Sequence, residues 1–208
     1  MRILGFWHIL LQNHWLTIVT DQLRIMLTSG LYDACEEINI GCIGRPEEKV
    51  DLERFITDLY PKLKIRYYST NPLEFEFPTL RLIENDNSDY VGFYFHTKGV
   101  TKPFDNNIQV WRNWLNEAIL NRWDEHYHRV HDSGYDASSV NFCPEPDHFS
   151  GNFWWFRREY INRLPKLDTL QLKNRYHCEQ YICMCKDRKV YAEEFIEAGR
   201  DSFLIRYK

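Results

Sequence analysis

The segment most able to do chemistry is His96-Thr97-Lys98-Gly99, which follows a run of strand-forming residues at 90–95. In open α/β sheets, ligands bind beyond the carboxyl ends of the strands, where this segment would lie. A lysine supplies a point charge for phosphate, and a glycine lets the backbone approach a ligand closely. We therefore predict an anion-binding site at these four residues. A polar turn after a strand is the alternative.

A second candidate is the segment 147–155, in which small polar residues precede an aromatic strand. Ser150 and Asn152 could form hydrogen bonds with sugar hydroxyls, and Gly151 could admit a sugar ring. An aromatic side chain offers a large flat area with a polar tip, so Trp154 is a further candidate contact for a sugar. The alternative is a turn that leads into a core strand and buries the tryptophans.

A third candidate is the pair Arg175 and Glu179, four residues apart and on one face of a predicted helix. The two side chains could simply form an ion pair with each other. The alternative is functional: Glu179 would then act as a base or bind a sugar, with Arg175 beside it.

Acidic residues form a fourth candidate, because Asp86 and Asp89 lie just before the predicted central strand. Spaced carboxylates can hold Mg²⁺ or Mn²⁺ against a diphosphate. A polar loop with solvated acids is the alternative, and it is the more common arrangement.

The elements that must position these residues alternate between strand and helix through the first half of the chain. This alternation predicts an α/β sandwich with a mostly parallel sheet, and we find no linker that would divide the single domain 1–208. The predicted strands are 2–9, 37–44, 63–68, 90–95, 138–142 and 152–156, with an edge strand at 203–205, and the predicted helices are 13–29, 46–60, 78–84, 107–130 and 174–186.

The composition excludes some classes of function. The net charge is −4, whereas a broad nucleic-acid interface needs a basic surface. No apolar run approaches the ~18–20 residues of a membrane span, and the first residues lack the pattern of a secretory signal. The six cysteines show no zinc-binding spacing, and we expect most of them to be reduced, buried thiols of a cytosolic protein.

Taken together, these segments resemble a group of small GT-A-type glycosyltransferases of bacterial polysaccharide clusters and large DNA viruses. Each matching segment is weak alone, but their order from about residue 7 to about residue 182 is fairly specific. The matching segments are Asn13-His14-Trp15, Ser29-Gly30-Leu31-Tyr32-Asp33, 94–100, Trp111-Arg112, 148–155, Arg175-Tyr176 and Glu179.

The resemblance implies a GT-A-like Rossmann-type α/β/α sandwich that moves a sugar from a nucleotide-sugar donor, with UDP favoured, to a glycan or glycoprotein acceptor. It also implies a cytoplasmic location in a bacterium or a virus-infected cell. The donor would lie over the first strand, near Phe6, Trp7 and His8. A carbohydrate-binding or scaffold protein that keeps the fold without catalysis is the alternative, and a nucleotidyltransferase is less favoured because no Gly-rich phosphate loop is present.

One departure from the family pattern concerns the metal. Many GT-A enzymes carry Asp-x-Asp where this chain has His96-Thr97-Lys98. Either Lys98 and His96 neutralise the diphosphate directly, or acids nearby hold Mn²⁺ or Mg²⁺. For the metal we name Asp86 and Asp89, with His148 as an extra ligand.

The base is a separate question. An inverting enzyme needs a carboxylate to take the proton of the acceptor hydroxyl, and Asp147 and Glu179 are the candidates. A retaining enzyme can dispense with such a base, so inversion and retention remain alternatives.

Overall fold

A computed structural model of the chain describes residues 1–57, 59–170 and 174–194. Its strands are β1 (Ile3–Leu11), β2 (Glu37–Gly44), β3 (Leu63–Ser69), β4 (Val91–His96), β5 (Ala137–Val140), β6 (Phe142–Cys143), β7 (His148–Phe149), β8 (Trp154–Arg157) and β9 (Val190–Glu193). Its α-helices are α1 (Trp15–Thr28), α2 (Leu31–Ala34), α3 (Pro46–Ile56), α4 (Phe77–Asn85), α5 (Asn106–Asn116), α6 (Trp123–His131), α7 (Arg158–Ile161) and α8 (Tyr176–Gln180).

Seven strands form the central sheet in the order β3-β2-β1-β4-β8-β5-β9. The ladders are parallel except that β8 runs antiparallel to its neighbours β4 and β5. Helices cover both faces of the sheet, with α1, α5 and α6 on one face and α4, α7 and α8 on the other. The prediction of an α/β/α sandwich with a mostly parallel central sheet is confirmed.

The central strands are apolar on both faces because both faces are covered. Alternation along β4 sends Phe93 to the face that carries α1 and α5, where it stacks on Trp155 at 4.8 Å between ring centroids. Tyr94 points to the opposite face and stacks on Trp154 at 4.7 Å. The same alternation sends His96, two residues after Tyr94, to the face of α4 and α8.

Several predicted element boundaries are wrong. The single helix predicted over 107–130 is two helices, α5 and α6, joined by a π-helical segment, Glu117–Asn121. Arg122 leaves helical geometry after this segment, with φ −94° and ψ 41°, which separates the two helices. The helix predicted over 174–186 ends at Gln180 and continues only as a 3₁₀ turn, Tyr181–Cys183.

Three short strands were not predicted: β9 and the β6–β7 hairpin, which are too short to give a clear periodic pattern. The edge strand predicted at 203–205 lies outside the described residues.

All six cysteines are free thiols, and four are buried, in line with the prediction. Within the described ranges, no helix has both the length and the apolar character needed to cross a membrane.

Candidate active site at the carboxyl edge

The candidate site lies where the strand order reverses. β2 and β3 extend the sheet to one side of β1, and β4 lies on the other side, so the gap above β1 and β4 is a topological switch point. His8 and His96 are register partners at the end of the β1–β4 ladder, and the Thr97 amide donates to the His8 carbonyl. Ligands of open α/β folds bind in the crevice at this position.

The loops after β1 and β4 are joined to each other. Asn13, in the left-handed region with φ 51°, donates its side-chain amide to the Val100 carbonyl at 2.9 Å. The Leu10 amide donates to Thr97 Oγ1 at 3.0 Å. Thr97 was predicted to contact the nucleotide-sugar donor. Its hydroxyl also joins the loops after β1 and β4.

The loop around Lys98 is held from beneath by α5. Gly99 has a φ of +79°, and a Cβ there would come 2.3 Å from Ile108 Cγ2, so this position requires glycine. The buried Arg112 donates to the Lys98 carbonyl at 3.0 Å. The Lys98 ammonium itself forms no ion pair or hydrogen bond in the described part of the chain, which leaves it available to an anion.

Glu76 is a site residue that the sequence analysis missed. It lies directly before α4, and its Oε2 accepts from the Tyr94 hydroxyl at 2.8 Å and from the Asn152 amide at 2.5 Å. Asn152 is in turn held by the Trp154 indole N–H, which donates to its Oδ1 at 2.8 Å. Strand β4 and the turn before β8 thus fix this carboxylate, although it is distant from both in sequence.

His96 is a neutral imidazole in a fixed orientation. Its Nε2 lies 3.0 Å from the Gly151 carbonyl, which only accepts, so Nε2 carries the proton and Nδ1 has a free lone pair. Burial, together with the smaller effect of the nearby Lys98 charge, lowers the His96 pKa to about 3. A neutral ring adds no positive charge, so Lys98 and not His96 is the cation of this segment.

His8 is also buried and neutral. Its Nδ1 is 2.9 Å from the Thr79 hydroxyl of α4, and burial lowers its pKa to about 4. Thr79 reaches this position because it packs against Gly41, where a Cβ would come 2.2 Å from Thr79 Oγ1. Close packing of α4 against β2 therefore sets the position of this ring.

Glu179 lies on α8, near His96. Its carboxylate lies close enough to His96 to raise that residue's pKa, against the larger effect of burial. Arg175 lies instead over the Tyr176 ring, with its guanidinium 5.2 Å from the ring centroid. Among the residues with described positions Glu179 has no ion pair, so the structural alternative, pairing with Arg175, is not found.

The turn before β8 brings further predicted residues to this edge. Gly151 has a φ of +91°, and a Cβ there would lie 2.5 Å from Leu115 Cδ1. The Ser150 amide donates to the Asn141 carbonyl at 2.9 Å. Asn152, with φ 57°, turns its side chain toward the crevice. The glycine is therefore required by the turn and its packing, while Asn152 positions a carboxylate.

Two predicted aromatic contacts are contradicted by burial. Trp7 and Trp154 are both 0% exposed. Trp7 stacks on Phe95 at 4.9 Å, and Trp154 stacks on Tyr94 on the other face of the sheet. Neither indole presents a face to a ligand, so the core interpretation of these tryptophans is the correct one.

Asp147 lies in the β6–β7 turn and forms an ion pair with Arg188. The same guanidinium lies over the Phe142 ring, 5.5 Å from its centroid. The neighbouring His148 has its Nδ1 2.7 Å from the Pro146 carbonyl. The paired Asp147 is thus less suited to take a proton than the unpaired Glu179.

The predicted metal ligands are not brought together. Asp86 and Asp89 precede β4, and Asp86 accepts from the Ser88 amide and hydroxyl, whereas His148 lies at the opposite edge. The six residues of β4 separate the two edges by roughly 20 Å. In the described residues, no group of three or more His, Cys, Asp or Glu side chains could hold a metal ion. The proposed ligand set therefore does not fit a metal.

Fold and edge geometry define an α/β protein with a switch-point crevice. Residues 6–200 match the model of a domain of unknown function, DUF8361, and the chain belongs to this family. Among solved structures it is similar to 4-diphosphocytidyl-2C-methyl-D-erythritol synthase from Anaerococcus prevotii, with 11% identity and a TM-score of 0.48 over 94% of this chain and 90% of that one. No curated protein matches the sequence.

Proposed function

We propose that this protein transfers a sugar from a nucleotide-sugar donor, with a UDP-sugar favoured, to a hydroxyl of a glycan or glycoprotein. The observation that carries the proposal is the topological switch point, where the unpaired Lys98 and the carboxylates of Glu76 and Glu179 all lie near His96. Sugar transfer needs positive charge at the leaving diphosphate and, when it inverts, a carboxylate at the attacking hydroxyl.

Each part of this reaction has a residue in the crevice. The Lys98 ammonium would stabilise negative charge on the departing diphosphate, on a loop that Arg112 holds in place. Glu179 would accept the proton of the acceptor hydroxyl, because Asp147 is already paired with Arg188. The preference for UDP as the donor nucleotide and the identity of the acceptor are parts of the proposal that the experiments below must test. The same experiments test whether transfer depends on Mn²⁺ or Mg²⁺.

A binding panel tests the proposal directly. Thermal unfolding is measured with UDP, GDP, dTDP and CMP, with and without their sugars, in Mn²⁺ and in EDTA, because a ligand specific to the folded state raises its stability. Release of the nucleotide is then followed with each sugar conjugate and simple glycoside acceptors. Binding with release supports sugar transfer. Binding without release favours the carbohydrate-binding alternative, and no binding contradicts the proposal.

Replacing Lys98 by Ala is expected to weaken binding of the nucleoside diphosphate by about 10- to 100-fold, since a hydrogen bond to a charged group contributes about 1.5–3 kcal/mol. Isothermal titration calorimetry with the diphosphate chosen from the panel measures this change. Lys102→Ala is the matched control, because Lys102 is an exposed lysine of the same loop. Equal affinities of the wild type and Lys98→Ala would remove Lys98 from the site.

A further inference from the structure

Two hydrogen-bond acceptors face each other in the crevice with nothing between them. His96 Nδ1 and Glu76 Oε1 are 3.9 Å apart, which is too long for a hydrogen bond. In the described part of the chain, neither atom receives a hydrogen bond, although both side chains are mostly buried. Neither atom is among the fully buried polar atoms without a partner in the described residues, so both remain accessible to a donor from a ligand.

The fold prevents the pair from satisfying itself. Glu76 Oε2 is occupied by two donors, Tyr94 and Asn152, which leaves Oε1 as the free oxygen. The Gly151 carbonyl holds the proton of the neutral His96 ring on Nε2, and Nδ1 becomes a donor only if the ring takes up a second proton, which burial opposes by lowering the pKa of His96 to about 3. At neutral pH both acceptors are therefore free.

The chemistry of this pair selects hydroxyl groups. A phosphate offers only acceptors and negative charge, so it would be repelled by Glu76 and by the lone pair of His96. A hydroxyl donates one hydrogen bond, and two hydroxyls on neighbouring carbons would supply one donor to each acceptor. A hydrogen bond to a carboxylate is one of the stronger kinds, which gives such a contact discriminating power.

We propose that Glu76 Oε1 and His96 Nδ1 form a subsite that recognises two neighbouring hydroxyls on the sugar ring of the donor. This inference rests on the proposed function, and it divides the crevice into two parts. The diphosphate lies by Lys98, and the sugar attached to it lies on the side of α4 and α8. We assign the donor sugar rather than the acceptor because His96 is only two residues from Lys98 in the same edge segment.

The decisive variant is Glu76→Gln, which is matched in shape. The amide oxygen of Gln can keep the hydrogen bonds from Tyr94 and Asn152, while its NH₂ group faces His96 Nδ1 and donates to it. Both free acceptors are then lost without loss of packing. We expect the affinity for UDP-glucose to fall by about 10- to 100-fold, toward that of UDP, while the affinity for UDP does not change.

Calorimetry with UDP and UDP-glucose, and with the other pairs of the panel, measures both affinities for the wild type and Glu76→Gln. Glu74→Gln is the control, since Glu74 lies two residues earlier and accepts from the Tyr67 hydroxyl outside the crevice. Urea unfolding of each variant shows whether the fold is intact. An equal loss for UDP and UDP-glucose, or no loss for either, would overturn the subsite while leaving the proposed function standing.

Two other outcomes separate the subsite from the function. If Glu76→Gln changes only the KM for the acceptor glycoside, the diol belongs to the acceptor and the donor assignment is wrong. If the wild type binds no nucleotide, the proposed function fails. Saturation-transfer NMR with methyl glycosides then tests whether Glu76 and His96 bind a sugar at all. Glycoside binding that Glu76→Gln abolishes would then support sugar recognition at this pair, and absence of binding would overturn it.

Discussion

Replacing Glu179 by Gln is expected to lower the rate of sugar transfer by about 10²–10⁴-fold, the usual contribution of a positioned general base. The amide has the same shape as the carboxylate but cannot accept a proton at neutral pH. Because the proposal assigns Glu179 to the acceptor hydroxyl and not to the diphosphate at Lys98, the affinity for the nucleoside diphosphate should be largely unchanged. Steady-state rates and calorimetric donor affinities, measured on the same preparations, check both parts of this expectation.

The matched control is Asp147→Asn, which removes the other carboxylate named from the sequence. Asp147 is paired with Arg188, so this change should affect the β6–β7 turn and its stability more than the rate of transfer. A larger loss of rate in Asp147→Asn than in Glu179→Gln would make Asp147, and not Glu179, the general base. Parallel loss of stability and activity in Glu179→Gln would make Glu179 a structural residue.

Acidification is expected to destabilise the protein strongly, through its buried histidines. Burial lowers the pKa of His8 to about 4 and the pKa values of His96 and His126 to about 3, from an ordinary value of 6.5. Between these values the unfolded chain binds protons that the folded chain does not. The stability is therefore fully present above about pH 6.5 and declines as the pH falls. Between about pH 7.5 and about pH 5, protonation linked to each of these histidines should lower the free energy of unfolding by about 2 kcal/mol.

Urea unfolding at the two pH values measures this loss. His126, buried against the Ser138 hydroxyl and away from the crevice, provides the test: His126→Gln should reduce the pH dependence by about one third. His128→Gln is the comparison for a histidine outside the core, because His128 is exposed and contacts Asp132 on the surface. The same midpoint at both pH values would show that these rings are protonated in the folded protein as readily as in the unfolded one.

The part of the site that the sequence predicts well is the part built from one segment. His96 and Lys98 follow a buried strand directly, and the carboxyl end of such a strand is at the ligand-binding edge. Their surroundings were less predictable: that His96 is neutral depends on burial and on the Gly151 carbonyl, which belongs to the turn before β8, 55 residues later.

Glu76 shows why the rest could not be predicted. No local pattern marks this residue, because its role comes from donors on β4 and on the turn before β8, which only the folded sheet brings to it. The predictions that the tryptophans contact a ligand were wrong for the opposite reason. A residue type suited to sugar contact is equally suited to the core, and only the alternation of β8 between two covered faces decides that Trp154 is inside.

The indole of Trp154 gives the crevice a built-in optical reporter. Its N–H donates to Asn152, and the other end of the Asn152 amide holds Glu76. A ligand that shifts the Glu76 carboxylate must therefore change the polarity at a fully buried chromophore. Emission wavelength, compared between the wild type and a Trp154→Phe variant, can then follow occupancy of the crevice in real time, without a label and before any substrate has been identified.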